Sequence, residues 1–288
     1  MVLIAKWVYV VVTTQDEDER ASENISMISA FRVPFFRYRH SRRRRVRIYI
    51  MFLLILIGLA LLVPAYLIYK PPHLLITALQ YKWPEVLFYV PTQEKIIALT
   101  IDDSPSQFTP EILSILTENN ATATFFVIGK QAQSEDSRST LKKIVSQGSE
   151  LGNHAMFDEP SRALTAKEFS EQVAEVDVFI EETYAAAGKT RDWKFFRPGS
   201  GFFSKVMITS LQSLGYSLVL GNIYPHDPQI PYAWVNARHI LSMARPGGII
   251  ICHDRRSWTL PMLRRVLPEL KRRGYKVMSV SELVTYGK

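Results

Sequence analysis

One uncharged apolar stretch constrains this chain more than any other feature of its sequence. From Ile48 to Tyr69 there are 22 residues without a charged side chain. At about 1.5 Å per residue, a helix of this length crosses the roughly 30 Å hydrocarbon layer of a bilayer. Helices in soluble cores rarely run this far without a polar face. We therefore predict a transmembrane helix over residues 48–69.

Basic side chains lie mainly on the N-terminal side of this span. Residues 1–47 contain 10 Lys or Arg against 5 Asp or Glu, and seven of the arginines lie between Arg37 and Arg47. Lys70 alone flanks the other end. The positive-inside rule then places residues 1–47 in the cytoplasm as a basic segment and everything after Lys70 in an extracellular or lumenal space. The lipid bilayer is thus a predicted partner.

Two alternatives use the same N-terminal region differently. Val63 and Ala65 are small residues at which a signal peptidase could cut, and the protein would then be secreted. We favour the uncleaved anchor, because the apolar run continues beyond that point and the basic leader is longer than usual.

The arginines could also bind RNA, but no aromatic stacking platform accompanies them and the apolar span follows at once. We therefore expect no nucleic-acid partner.

The rest of the chain alternates between two periodicities. Four prolines and scattered aromatic residues in 70–94 indicate a stem that packs loosely on the domain. In residues 95–288, apolar runs of strand length alternate about seven times with helical stretches. This pattern predicts an α/β fold with a parallel sheet, either a closed or distorted barrel or a doubly wound sheet. The single cysteine, Cys252, cannot form an internal disulfide.

Acidic residues, histidines and an arginine follow the predicted strands at their C-terminal ends. Since these ends converge on one face of a parallel barrel, we expect the side chains to share a site. They are Asp102, Asp103, His154, Arg197, His226, Asp227, His253 and Asp254.

The chemistry of these residues suits a hydrolytic metal site. Catalytic zinc has three protein ligands and one position for water, and Asp103, His154 and Asp158 can supply the three. The metal makes water acidic enough for the Asp102 carboxylate to accept its proton. The His253 imidazolium can protonate a departing amine.

Five segments resemble, in order and spacing, the motifs of the polysaccharide deacetylases with a NodB-homology domain. The resemblance covers about residues 95–287. The segments are Thr100-Ile101-Asp102-Asp103-Ser104-Pro105, Gly152-Asn153-His154 with Asp158, Arg197-Pro198-Gly199-Ser200-Gly201, Tyr224-Pro225-His226-Asp227 and Cys252-His253-Asp254.

The resemblance implies a distorted (β/α) barrel of about seven strands in a catalytic domain at 95–288. It further implies removal of N-acetyl groups from N-acetylglucosamine units of a chitin- or peptidoglycan-like glycan, which would be the substrate partner. By the family pattern Asp102 is the general base, His253 the general acid, and Asp103 and His154 are metal ligands. Arg197 would hold Asp102, and Asp227 would orient His253. A backbone N–H near Ser200 would stabilise the oxyanion.

Three of the five segments depart from the family pattern. Ser104 replaces a usual Gly, Asp158 replaces a usual His, and Gly199 with Ser200 replaces Pro-Tyr. Two aspartates and one histidine make a more anionic metal site, which suits Zn²⁺ and also a harder metal such as Mn²⁺, with Co²⁺ a further possibility. A silent carbohydrate-binding domain and a hydrolase of another small amide stay open as alternatives. The sequence leaves the oligomeric state open.

Overall fold

The computed structural model of the protein describes residues 42–287. Most of the predicted cytoplasmic segment, residues 1–41, lies outside the described residues. The chain divides into two units, Met1–Ile55 and Leu56–Lys288. The second unit contains the whole sheet and its helices.

The first described element is the apolar helix α1, Arg42–Tyr69. Its stretch Arg44–Tyr69 has 26 residues, a mean hydropathy of 2.8 and exposed side chains throughout its most apolar window. The prediction of one long apolar helix at this place is therefore confirmed by length and composition. Its insertion in a membrane and its orientation stay predictions.

The second unit is built on a curled sheet in which every strand pair is parallel. The strands run in the order β1-β6-β5-β4-β3-β2-β7, and β8 also pairs with β2. The predicted distorted (β/α) barrel is confirmed as an open, curled sheet rather than a closed ring. The strands are β1 Val86–Leu87, β2 Ile96–Ser104, β3 Thr124–Val127, β4 Glu150–Asn153, β5 Phe195–Phe196, β6 Ser217–Val219, β7 Ile249–His253 and β8 Lys276–Met278.

Helices connect the strands and cover the sheet. They are α2 His73–Lys82, α3 Thr109–Glu118, α4 Glu135–Ser146, α5 Ala166–Ala186, α6 Lys205–Ser213, α7 Ala233–Met243, α8 Thr259–Arg272 and α9 Val280–Tyr286. α5 begins with a capping box, in which Thr165 and Glu168 each bind the other's backbone N–H. All nine residues of β2 are buried, as expected for a central strand of a parallel sheet covered on both faces.

The segment predicted as a loosely packed stem, residues 70–94, contains regular structure. It forms α2 and β1, and β1 pairs with β6 at the edge of the sheet. The Gln80 side chain joins the two elements: its Nε2 donates to the Val86 carbonyl at 2.9 Å and its Oε1 accepts from the Phe88 N–H at 3.0 Å. A two-residue strand is too short to show the alternation from which strands are predicted.

Candidate active site

Sheet register brings the predicted base and acid side by side. β2 lies between β3 and β7, and its ladder with β7 pairs Asp102 directly with His253. The Asp254 N–H extends the ladder by donating to the Asp102 carbonyl at 2.8 Å. Asp102 and His253, which are far apart in sequence, therefore share one end of the sheet. This is the convergence of strand ends that the sequence predicts.

Arg197 holds the Asp102 carboxylate from behind. Its Nη1 lies 2.6 Å from Asp102 Oδ1 and donates to Thr100 Oγ1 at 2.5 Å, while its Nε donates to the Val219 carbonyl at 3.2 Å. The guanidinium also lies over the Phe126 ring, 4.2 Å from its centroid. Burial lowers the pKa of Arg197, whereas the charge of Asp102 and its hydrogen bond oppose that effect. The pair holds the Asp102 carboxylate in one position in a buried place.

Asp227 holds His253 in the same way on the other side. Its Oδ1 lies 3.0 Å from His253 Nδ1, and its Oδ2 accepts the His253 backbone N–H at 2.8 Å. Trp258 Nε1 donates to the Asp227 carbonyl at 2.9 Å, which fixes the loop that carries Asp227. Burial by itself lowers the pKa of His253, but attraction to Asp227 and the hydrogen bond with it outweigh burial and raise the pKa. The imidazole is thus favoured as a cation with Nε2 free to donate.

Asp103 and His154 form a second buried pair. His154 Nε2 lies 3.7 Å from Asp103 Oδ1. His154 Nδ1 lies 2.7 Å from the Arg197 carbonyl oxygen; because a carbonyl can only accept, Nδ1 carries the proton and Nε2 of the neutral ring keeps its lone pair. A histidine whose second nitrogen is bound to a carbonyl is the usual arrangement of a metal ligand. These two donors therefore fit a divalent cation. Burial raises the pKa of Asp103.

The third predicted ligand, Asp158, is paired with another side chain. Its Oδ2 lies 3.0 Å from Arg255 Nη1, and the Asp158 side chain is 56% exposed. The next residue, Arg256, places Nη2 at 3.5 Å from Asp103 Oδ2. Within residues 42–287 no group of three or more His, Cys, Asp or Glu side chains is close enough together to hold a metal ion. The geometry brings Asp103 and His154 together and leaves Asp158 on the rim, so the three-ligand set stays a prediction.

Six of the predicted site residues line a single cavity of about 560 Å³: Asp102, Asp103, His154, Asp158, Arg197 and His253. Three do not line it: Asp227 is fully buried behind His253, Asp254 is buried beside Ser104, and His226 stacks on Tyr69. Several wall residues were not expected to line the site. These wall residues are Glu159, Pro160, Pro198, Gly201, Leu220, Tyr224, Pro228, Gln229, Ile251 and Arg256. For Tyr224 and Arg256, the only signal in the sequence is that they lie within or beside one of the five segments.

Two departures from the family pattern have a local explanation. The Ser104 side chain is buried and faces Asp254 Oδ2 at 3.4 Å, so its hydroxyl does not line the cavity. A Cβ added at Gly199 would lie 2.1 Å from the Glu159 carbonyl oxygen, so this backbone passes too close for a larger residue. Ser200 lines the cavity with a φ of +61°.

Comparison with known proteins is consistent with this arrangement. The family profile described as Polysaccharide deacetylase matches residues 89–219. A peptidoglycan-N-acetylglucosamine deacetylase of Bacillus cereus is 33% identical over 211 residues, which are 70% of this chain and 93% of the relative. This chain belongs to the polysaccharide deacetylase family. The prediction of a polysaccharide N-deacetylase, a hydrolase of carbon–nitrogen bonds, is confirmed at the level of that family.

Further members of the polysaccharide deacetylase family match over similar lengths. A chitooligosaccharide deacetylase of Sinorhizobium fredii is 30% identical over 200 residues, covering 65% of this chain and 90% of the relative. A solved structure described as a CE4-family pseudoenzyme from Bacillus anthracis superimposes with a TM-score of 0.62 at 24% identity, covering 69% of this chain and 68% of the other. At that identity the superposition supports the fold alone.

Proposed function

We propose that this protein is a membrane-anchored, metal-dependent deacetylase that hydrolyses N-acetyl groups of a chitin- or peptidoglycan-like glycan. The observation that carries the proposal is that Asp102, paired with Arg197, and His253, paired with Asp227, lie next to each other in the wall of one cavity. Asp102 offers a fixed carboxylate, which can only accept a proton, and His253 offers a fixed imidazolium, which can donate one. Hydrolysis of an amide needs both.

The reaction follows from these two groups. Asp102 accepts a proton from water as the water oxygen attacks the carbonyl carbon of the N-acetyl group. His253 then donates a proton to the amide nitrogen, the C–N bond breaks, and acetate and a free amine remain. Arg197 and Asp227 act by position: the first keeps Asp102 in place, and the second keeps His253 protonated. A backbone N–H near Ser200 would stabilise the negative oxygen of the tetrahedral intermediate.

Asp103 and His154 would hold a divalent metal, with Asp158 as the proposed third ligand. Zn²⁺ suits imidazole and carboxylate donors, and Mn²⁺ or Co²⁺ is compatible with a site of two aspartates. When bound, the metal supplies Lewis acidity to water and to the amide carbonyl. Metal dependence of the family supports this part of the proposal; the metal that this chain loads is to be measured.

Anchoring rests on the apolar helix. A span of 26 residues is long enough to cross a bilayer, and the basic residues at its N-terminal end favour a cytoplasmic N-terminus. The catalytic unit would then face an extracellular or lumenal space, where glycans of this kind are built. Secretion after signal cleavage is the alternative outcome.

The test is acetyl release by the full-length protein in detergent. Chitin oligomers and peptidoglycan fragments are incubated with the protein, with and without added Zn²⁺, and the loss of acetyl mass and the release of acetate are measured. We expect activity that a chelator abolishes and that metal restores. Asp102→Asn should lower kcat by about 10²–10⁴-fold while bound metal stays unchanged, because a neutral amide cannot accept the proton.

The matched control is Asp192→Asn, which removes an exposed carboxylate outside the cavity and should leave turnover unchanged. Normal turnover by Asp102→Asn would remove Asp102 as the base. A protein that takes up no metal at saturating Zn²⁺ and releases no acetate would refute the proposed activity.

One observation favours a second candidate function. The Asp158 carboxylate is paired with Arg255 rather than with His154 and Asp103. If that ion pair persists in solution, the chain would be a silent carbohydrate-binding domain with a two-ligand site that holds metal poorly. Metal analysis separates the two candidates: less than about one tenth of an equivalent at saturating Zn²⁺ favours the silent domain.

A further inference from the structure

Contacts between aromatic rings join the C-terminal end of α1 to the catalytic unit. Tyr69, the last residue of the helix, stacks on His226 with centroids 5.0 Å apart and planes inclined by 16°. The Tyr69 ring also meets the ring of His239 at 4.5 Å. His226 Nε2 donates to the Tyr69 carbonyl oxygen at 2.9 Å. We name Tyr69, His226 and His239 the ring clasp.

Polar contacts continue the attachment beyond the clasp. Lys70 Nζ donates to Ser242 Oγ at 2.9 Å, and Ser242 Oγ donates to the His239 carbonyl at 2.8 Å. The chain then enters α2 at His73, and Gln80 ties α2 to the backbone beside β1. Within the described residues, the stretch 69–88 is therefore held against the catalytic unit by these contacts and does not form a long flexible linker. The unit is held at the place where the apolar helix ends.

The ring clasp lies close to the cavity. Tyr224 lines the cavity; its ring is 4.6 Å from that of His226 and 5.9 Å from that of His253. Three successive ring contacts thus connect Tyr69 to His253, the proposed general acid. The ring centroids of Tyr69 and His253 are therefore less than roughly 20 Å apart, about two helix diameters. The loop that carries His226 also carries Asp227, the partner of His253.

The length of the apolar helix sets the position of Tyr69 relative to the bilayer. A helix of 26 residues is about 39 Å long, against about 30 Å for the hydrocarbon layer. Tyr69 then lies among the headgroups, where tyrosine is enriched in membrane proteins. Because Tyr69 is bound to the catalytic unit, the cavity stays near the headgroups as well.

We propose that the natural substrate of this site is an N-acetylated glycan joined to a lipid of the same membrane. This inference rests on the proposed membrane-anchored deacetylase and names its substrate class. The reaction is unchanged: water adds, the amide C–N bond breaks, and acetate and an amine form. A sugar attached to a lipid reaches the cavity at a high effective concentration, whereas a polymer beyond the headgroups must come to the surface first.

The experiment uses the full-length protein in vesicles of phosphatidylcholine. Substrates are an N-acetylglucosamine pentamer joined to a two-chain lipid in the same vesicle, suspended chitin particles, and the soluble pentamer. In one variant, about 20 Gly and Ser residues, an insert of roughly 25 Å root-mean-square length, are placed between Ile68 and Tyr69. This insert leaves the ring clasp on the catalytic unit and frees that unit from the surface. The matched control carries the same insert just before Arg42.

We expect the wild-type protein and the control to prefer the lipid-joined pentamer over chitin particles by at least about 10-fold in rate per enzyme. The variant with the insert before Tyr69 should lose about 5-fold or more of this preference, with unchanged kcat/KM on the soluble pentamer. An equal preference in all three proteins, with normal turnover of the soluble pentamer, overturns the inference and leaves the proposed function intact. No turnover of the soluble pentamer by any of them refutes the proposed function instead.

A second measurement needs no catalysis. The one cysteine of the chain, Cys252, is buried, so Gln229→Cys at the cavity wall can carry a single fluorescent label. Energy transfer from this label to a dye on the lipid headgroups should be strong in the otherwise wild-type chain and in the control. It should fall several-fold with the insert before Tyr69. Equal transfer in all three proteins overturns the inference whatever the activity.

Discussion

Each of the two proposed proton-transfer residues is fixed by one buried partner of opposite charge. Asp102 has Arg197, and His253 has Asp227, and all four side chains are held close to the C-terminal end of the sheet. Such pairs cost desolvation and contribute little net stability, but removing one partner leaves the other charge buried alone. Their value is therefore positional, since they hold Asp102 and His253 at fixed points of one cavity.

The Asp227–His253 pair makes a prediction about pH. Asp227 raises the pKa of His253, so Asp227→Asn should lower that pKa and move the alkaline limb of kcat/KM to lower pH by about one to two units. Because the pKa of His253 is higher in the folded than in the unfolded chain, protonation of His253 stabilises the fold. This stabilisation is complete below the unfolded-state pKa and is lost as pH rises through the folded-state pKa. The variant should therefore lose more stability at pH 5 than at pH 9.

Initial rates from pH 5 to 10 and thermal unfolding at both ends of that range measure these effects. Asp192→Asn is the control and should move neither. An unchanged alkaline limb in Asp227→Asn would mean that a group other than His253 is the acid.

The Asp158–Arg255 pair makes a prediction about metal affinity. Arg255→Gln frees the carboxylate and removes a cation that repels the metal, so Zn²⁺ should bind about 3- to 10-fold more tightly. The measurement is calorimetric titration of the metal-stripped protein. Arg264→Gln is a matched control, because Arg264 pairs with Glu111 at 3.1 Å with similar exposure, away from the cavity. Equal Zn²⁺ affinity in both variants would exclude Asp158 as a ligand.

At the residue level the sequence predicts which side chains share the cavity but not all their partners. Asp102 and Asp103 lie in the last residues of β2, and His154 and Arg197 directly follow strands; the parallel sheet brings such positions together. Arg255 and Arg256 reach Asp158 and Asp103 from a loop after β7, and Arg255 has a φ of +60°. No periodicity or spacing encodes the direction of a loop side chain, so these pairs could not be predicted.

At the element level, a place where two backbone segments touch can restrict which residue fits there. Gly247, just before β7, has a φ of +70°, and an added Cβ would lie 1.7 Å from the Val90 carbonyl oxygen. The same residue's carbonyl accepts the Val90 N–H at 2.9 Å. The chain from β1 to β2 therefore crosses the turn before β7 in direct backbone contact, which needs the absence of a side chain.

Gly247→Ala should therefore destabilise the catalytic unit by about 3 kcal/mol or more, because the new methyl group pushes two backbone segments apart. Gly215→Ala is the matched control. Gly215 has a similar φ of +76°, but its added Cβ meets nothing within 4 Å, so only the left-handed conformation costs free energy, about 1–2 kcal/mol. Chemical unfolding of both variants measures the difference. Equal losses would show that the Val90 contact is relaxed in solution.

Sequence patterns predict the long elements well and the short ones poorly. The capping box at Thr165 and Glu168 marks the start of α5 because its signal is local. The edge strand β1 has only two residues and is defined by its backbone pairing with β6, which is far away in sequence. No local sequence pattern can predict such a pairing. α9 also begins with a capping box, formed by Ser279 and Glu282, but its seven residues give less than two full helical turns and too little periodicity to predict a helix.

At the scale of the whole molecule, the apolar helix and the catalytic unit are a continuous chain from Tyr69 onward. The ring clasp and Lys70 contact the catalytic unit where the helix ends, at the start of the segment predicted as a stem. If the proposed span is inserted in a membrane, its orientation decides on which side the catalytic unit lies.

Two sequons make the orientation testable. Asn120-Ala121-Thr122 lies in an exposed turn after α3, on the side predicted to be lumenal, and Asn24-Ile25-Ser26 belongs to the segment predicted to be cytoplasmic. Synthesis in eukaryotic microsomes should glycosylate Asn120 alone, because only sequons that cross the membrane meet the glycosylating enzyme. Asn120→Gln should lose the mobility shift, and Asn24→Gln should keep it. The reverse result would invert the topology, whereas a glycosylated product released by alkaline carbonate would show cleavage of the span, and the catalytic unit would then act free of the bilayer.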